Sequence, residues 1–281
     1  MIRTSVQLKA KIRNLASGDS TKSQTLLRTF IMERFLERIS LSAYRDNFIL
    51  KGGMLVASLV GLHTRATMDI DTTLRSATLS QEEAVKIVQD VIGVEVDDGV
   101  TFAITKVEDV MEGHDYPGVR FVLQATLDRL RQKIKIDIST GDAITPQAVE
   151  YAYKLMFEDR HIKLWTYSVE TLLAEKLETI MARGALNTRM RDFYDVHVIA
   201  TQEKYRLDLL REAFLVTSHR RHTSHTIDEM KSILNTVAQD ETMRKLWDNY
   251  VRDSFFVENL TWDEVMQSVQ NLAQKSQITK G

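Results

Sequence analysis

The hydrophobic pattern of the chain changes period along its length. SVQLKAKIRNLA and TLLRTFIMERFLERIS, on either side of the polar break SGDSTKSQ, carry apolar residues at helical spacing, so residues 4 to 46 predict a helical layer. FILKGGMLVASLVGL begins as a short strand, turns at Gly52 and Gly53 and continues as an apolar helix toward Gly61. LHTRATMDIDTTLR reads as a loop and a strand, and SQEEAVKIVQDVIGV as a helix opened by Ser80. TFAITKVEDV and YPGVRFVLQATLD then read as strands. RQKIKIDISTGD has the clearest alternation, with Ile134, Ile136 and Ile138 on one face and Lys133, Lys135 and Asp137 on the other. From Ser168 onward the patterns are almost entirely helical. SVETLLAEKLETIMARG is the strongest of them, with Ser168 as its cap and Gly184 as its stop. The switch from mixed to all-α patterning predicts a boundary near residue 160. The expected class is therefore α/β: a lobe over residues 1–160 with a small mixed sheet flanked by helices, followed by an α-helical lobe over residues 161–281.

Composition narrows the function classes. The chain has 281 residues, 43% hydrophobic and 27% charged, which is ordinary globular composition. With 37 basic against 39 acidic residues the net charge is −2, so no global field advertises a nucleic-acid partner and local patches must carry any such role. The absence of cysteine excludes disulfides, thiolate metal sites and a cysteine nucleophile. No segment has the length and apolarity of a membrane span or a secretory h-region, so the expectation is a cytoplasmic protein without a membrane partner.

The candidate chemistry centres on Asp69 and Asp71. Side chains alternate along a strand, so these two carboxylates project together while Ile70 points into a core. Neighbouring anions raise one another's pKa unless a cation lies between them. Mg²⁺ suits such a pair, because it uses one or two carboxylates and completes its shell with water and phosphate oxygens. The bland reading is a solvated edge strand whose acids pair with Arg65 and Arg75. Asp137, on a later strand and opposite three isoleucines, supplies the third carboxylate that a two-metal phosphoryl-transfer site needs. Its bland reading is an exposed acid flanked by lysines. Gly52 and Gly53, at a strand-to-helix junction, let backbone approach a phosphate and leave helix N–H groups pointing at it.

Together these residues resemble the nucleotidyltransferase superfamily of polymerase-β-like folds. Leu50-Lys51-Gly52-Gly53, Asp69-Ile70-Asp71 and Asp137 occupy the signature roles, although the spacer from Gly53 to Asp69 is longer than usual. The string Arg65-Ala66-Thr67-Met68-Asp69-Ile70-Asp71 looks like a narrower group, the AbiEii abortive-infection toxins and their relatives. A further motif of that group, a helical lysine followed by Arg-Asp-x-x-Asp, matches Lys176 and then Arg191, Asp192 and Asp195. The resemblance spans roughly residues 45 to 200, with four motifs in order.

The resemblance implies a nucleotidyltransferase-fold lobe and Mg²⁺-dependent transfer of a nucleotide from NTP to an acceptor, which in related toxins is tRNA. It implies metal ligation by Asp69, Asp71 and Asp137, nucleotide binding by Gly52, Gly53, Lys176 and Arg191, and catalytic roles for Lys176, Asp192 and Asp195. It also implies a phage-defence toxin paired with a DNA-binding antitoxin. The rival classes are a non-catalytic nucleotide-binding protein and a protein-modifying transferase.

Physics gives the last motif its own reading. Asp192 and Asp195 share a helix face and Arg191 can reach Asp195 across one turn. These could equally form a surface ion-pair network worth about 0.3–0.5 kcal/mol per pair, with Lys176 solvated beside Glu175 and Glu178. SHRRHTSH offers His219, His222 and His225 without a completing carboxylate, and Arg220 and Arg221 as candidate RNA contacts alongside Lys133 and Lys135. His63 and His114 fall in expected loops without a role, and Met54, Met68 and Met181 read as core fillers.

Overall fold

A computed structural model describes residues 2–61, 63–75, 79–111, 117–257 and 259–278; His114 lies outside the described residues. The chain divides into two compact units, one of residues 1–58, 66–141 and 149–166, the other of residues 59–65, 142–148 and 167–281. The sequence pattern suggests a single cut near residue 160, whereas the second unit also takes residues 59–65 and 142–148, two short segments that carry no composition shift.

The first unit is built on a mixed seven-stranded sheet in the order β3-β4-β5-β2-β1-β7-β6. Its strands are β1 (Phe48–Lys51), β2 (Asp69–Leu74), β3 (Val100–Met111), β4 (Pro117–Leu127), β5 (Leu130–Thr140), β6 (Val149–Lys154) and β7 (His161–Thr166). β2 runs parallel to β5, β1 runs parallel to β7, and the other neighbours are antiparallel. Helices α1 (Ser5–Ala16), α2 (Ser20–Leu41), α3 (Gly52–Val60) and α4 (Gln81–Ile92) complete the architecture. α2 begins earlier than its apolar pattern suggests, because Asp19 caps it by accepting from the Lys22 N–H at 3.0 Å. The expected Ser80 cap of α4 is a full capping box with Glu83. Ile134, Ile136 and Ile138 are buried as the alternation predicts, while Lys133 and Lys135 are exposed. Met54 and Met181 are core residues, but Met68 is 49% exposed and contacts Arg28 instead of filling a core.

The β6–β7 hairpin is not among the elements that the pattern predicts. HIKLWT does alternate, with Ile162 and Leu164 buried, but β6 at the sheet edge buries little more than Tyr153. This hairpin meets the buried charged face of α2. Glu33 accepts the Met156 N–H at 3.0 and 3.1 Å, Arg34 pairs with Glu158 at 3.1 Å, and Arg160 pairs with Glu37. Arg38 makes a two-pronged contact with Asp98 at 2.7 and 3.0 Å. Burial pushes the Glu33 carboxyl up to about 8.

The second unit is helical: α5 (Val169–Arg183), α6 (Met190–Gln202), α7 (Leu207–Arg220), α8 (Met230–Gln239), α9 (Glu241–Asp253) and α10 (Trp262–Lys275). Ser168 caps α5 and Gly184 ends it, as expected. Phe193, Trp247 and Trp262 pack as tilted rings in its core, with centroids 5.1 Å apart for Phe193–Trp262 and 6.0 Å apart for Trp247–Trp262.

Candidate functional site

β2 is not an edge strand. It lies between β5 and β1, so the reading of Asp69 and Asp71 as acids of a solvated edge does not hold. Of the two arginines offered as their partners, Arg65 pairs with Asp195, and Arg75 lies over the Trp165 ring at 4.3 Å. Ile70 is fully buried and both acids are half-buried on the opposite face, as strand geometry requires. Thr67 donates to Asp69 Oδ1 at 3.2 Å and so fixes the first carboxylate.

Gly52 sits where β1 meets α3, with φ +62. A Cβ there would lie 2.0 Å from Asp71 Oδ2, so only glycine leaves room for that carboxylate beside the helix start. Sequence reasoning assigned this glycine to phosphate approach alone; the close packing on Asp71 depends on the β1–β2 pairing of Lys51 with Asp71. The donor set, two hard carboxylates beside a helix N-terminus, fits Mg²⁺ with water and phosphate oxygens completing its shell.

Asp137 lies directly across from Asp71 in the parallel β2–β5 pair, on the same half-buried face. Its other cross-strand neighbour is Arg120 on β4. Arg120 Nε donates to Asp137 Oδ1 at 2.7 Å and its terminal nitrogen to Oδ2 at 2.6 Å, so both carboxylate oxygens are engaged. Among the described residues, no group of three or more His, Cys, Asp or Glu is arranged to hold a metal ion. The fold thus brings Asp69, Asp71 and Asp137 to one sheet face while Arg120 holds the third. Sequence reasoning missed Arg120, whose only signal is the alternation of GVRFVLQ on a strand facing β5.

The other motif residues belong to the helical unit. Arg65 donates to Asp195 through Nε at 2.5 Å and through a terminal nitrogen at 3.1 Å. Lys176 Nζ lies 2.7 Å from Asp195 and 2.9 Å from Asp192. Arg65 is 1% exposed and Asp195 is fully buried, so this is a buried tetrad of two cations and two anions, not the surface network that i, i+3 spacing allows. Burial alone would disfavour every charge here, yet the Arg65 and Lys176 charges hold Asp195 below the usual carboxylate range. In turn, the two aspartates outweigh burial and raise the Lys176 ammonium. Asp192 Oδ2 is buried without a hydrogen-bond partner. Arg191 is exposed, and Asp195 is bonded to Arg65 and Lys176. Glu175 and Glu178, the alternative partners for Lys176, pair instead with Arg221. Arg221, whose side chain is 29% exposed, is thereby ion-paired inside its own unit. Among the described residues, none of His219, His222 and His225 joins a metal-holding group.

A family model for the nucleotidyl transferase AbiEii toxin of type IV toxin–antitoxin systems matches residues 34–268. The chain belongs to this AbiEii nucleotidyl transferase toxin family. Among solved structures, JHP933 from Helicobacter pylori is similar in fold, with 16% identity, a TM-score of 0.52, and coverage of 90% of this chain and 91% of that one. A candidate nucleotidyltransferase from H. pylori is also similar, with 16% identity, a TM-score of 0.50, and coverage of 90% and 94%. The nucleotidyltransferase-like α/β fold expected from the sequence is therefore the fold observed. No curated protein sequence matches the chain. Among the described residues no helix is long and apolar enough to cross a membrane.

Proposed function

We propose that this toxin-family protein transfers a nucleotide from an NTP to an RNA acceptor, of which tRNA is the first candidate, in a Mg²⁺-dependent reaction that releases pyrophosphate. The observation that carries the proposal is the Asp69–Asp71 pair facing the glycine junction, with Gly52 leaving room for Asp71. When bound, Mg²⁺ would offset charge on the triphosphate and on the departing pyrophosphate. Asp69 and Asp71 would hold it, with Thr67 fixing Asp69. Backbone N–H groups at Gly52 and Gly53 would receive phosphate oxygens at the start of α3. Asp137 is the third carboxylate of the proposed set. In the helical unit, Lys176, Arg191, Asp192 and Asp195 are assigned to the activity on their motif match, with Asp192 and Asp195 holding the Lys176 ammonium. A DNA-binding antitoxin would be the functional partner, and phage defence the setting.

Incubation with each labelled NTP, Mg²⁺ and either total RNA or lysate protein tests this reading. Label on RNA, dependent on Mg²⁺, is the expected result. Label on protein would replace the acceptor, and NTP binding without any transfer would favour a non-catalytic nucleotide-binding protein.

A further inference from the structure

We infer that Arg120 is a latch on Asp137: its two-pronged contact holds the carboxylate and releases it when a divalent cation reaches Asp69 and Asp71, and Arg120 then turns to Glu108. The inference rests on the proposed role of the Asp69–Asp71 pair. Five residues form one row across the sheet: Glu108 on β3, Arg120 on β4, Asp137 on β5, Asp71 on β2 and Lys51 on β1, each in register with the next. Asp137 thus has Arg120 on one side and Asp71 on the other. Arg120 likewise has two carboxylates, Asp137 and Glu108.

Three features make the contact exchangeable. The pair is not sealed from water, since the Arg120 and Asp137 side chains are 34% and 22% exposed, so opening it strands no charge in a dry core. The guanidinium has a second acceptor already opposite it: Glu108, which now takes a hydrogen bond from Lys106 at 2.5 Å. Finally, Asp137 stands between two claims on its charge, Arg120 on the β4 side and, on the β2 side, the divalent ion that Asp69 and Asp71 would hold. Arg120 offsets Asp137 until a divalent ion supplies more charge from the Asp71 side.

Arg120 is therefore a positioning residue, acting through Asp137. The test is Mn²⁺ binding followed by electron paramagnetic resonance of the free ion, with folding checked by circular dichroism. If Asp137 joins the cation, Asp137→Asn weakens Mn²⁺ binding about tenfold or more, the scale of losing a group that ligates or orients a metal. Arg120→Gln removes the competitor and tightens binding about two- to fivefold, the worth of a partly exposed ion pair. Arg120→Lys, which keeps the charge but loses the fork, falls between wild type and Arg120→Gln. The decisive comparison is the double variant: with Asp137→Asn present, Arg120→Gln gives no tightening. Equal tightening in both backgrounds would mean that Arg120 acts only through its field, and the latch fails. The latch also fails if Asp137→Asn leaves binding unchanged while Asp71→Asn weakens it. Unchanged binding in Asp71→Asn as well would overturn the cation-holding role of the pair, and the latch with it.

Discussion

Replacing Asp195 with alanine tests what the helical motif is for. The buried tetrad is balanced: Arg65 and Lys176 against Asp192 and Asp195. Asp195 touches both cations, so its removal deprives Arg65, 1% exposed, of the two hydrogen bonds it makes to that carboxylate and leaves one excess positive charge in the core. Breaking a buried pair by removing one partner costs about 3–5 kcal/mol, because the survivor is uncompensated. At about 2–4 °C per kcal/mol for a chain approaching this size, the melting temperature should fall by roughly 6–20 °C. Asp192→Asn should cost much less, since Asp192 pairs with Lys176 alone in this tetrad and one of its oxygens is already unpartnered. The double variant Arg65→Met/Asp195→Leu should recover much of the loss, because it removes the stranded guanidinium along with the carboxylate. Urea and thermal unfolding followed by circular dichroism measure all three. A cost below about 1 kcal/mol for Asp195→Ala is what a solvated surface network would give, and it would refute the reasoning.

Three other perturbations have definite expected outcomes. Glu33 is held in the folded chain at a pKa raised from 4.5 to about 8, so it contributes most below pH 4.5 and stability falls as pH rises toward 8. The slope is at most about 1.4 kcal/mol per pH unit, and Glu33→Gln should flatten it in unfolding measured between pH 5 and 8. Gly52→Ala must bear a positive φ, about 1–2 kcal/mol, and displace Asp71, so it should lower both the melting temperature and nucleotide transfer; a fully active, equally stable variant would exclude the packing described for Asp71. Neutralising the exposed Lys133 and Lys135 should weaken RNA binding and reduce the slope of log K against log salt by about 0.7 for each phosphate no longer neutralised, if the RNA is single-stranded there; unchanged binding would move the acceptor surface elsewhere.

What the sequence made legible was local. The strand carrying Ile134, Ile136 and Ile138, the Ser168 and Ser80 caps and the shared face of Asp69 and Asp71 follow from spacing within one element. The misses are long-range. Arg65 and Asp195 lie 130 residues apart, and only the tertiary fold brings them together. Arg120 meets Asp137 through the β4–β5 register, so neither residue's neighbours announce the contact. MERFLERIS has the charges of an exposed helix face, yet Glu33, Arg34, Glu37 and Arg38 are all buried because the unforeseen β6–β7 hairpin and the segment around Asp98 supply their partners. Charge run and solvation part company wherever a later segment brings the opposite charge.

The central claim is that Asp69 and Asp71 act as a cation-holding pair for transfer from NTP, and the most direct measurement is label transfer by Asp69→Ala and Asp71→Ala variants with their melting temperatures matched against wild type. The account predicts that transfer is abolished while the fold is retained, with a melting temperature unchanged or raised because one of two neighbouring anions is gone. Transfer at the wild-type rate from either variant, or activity lost only through unfolding, would contradict it.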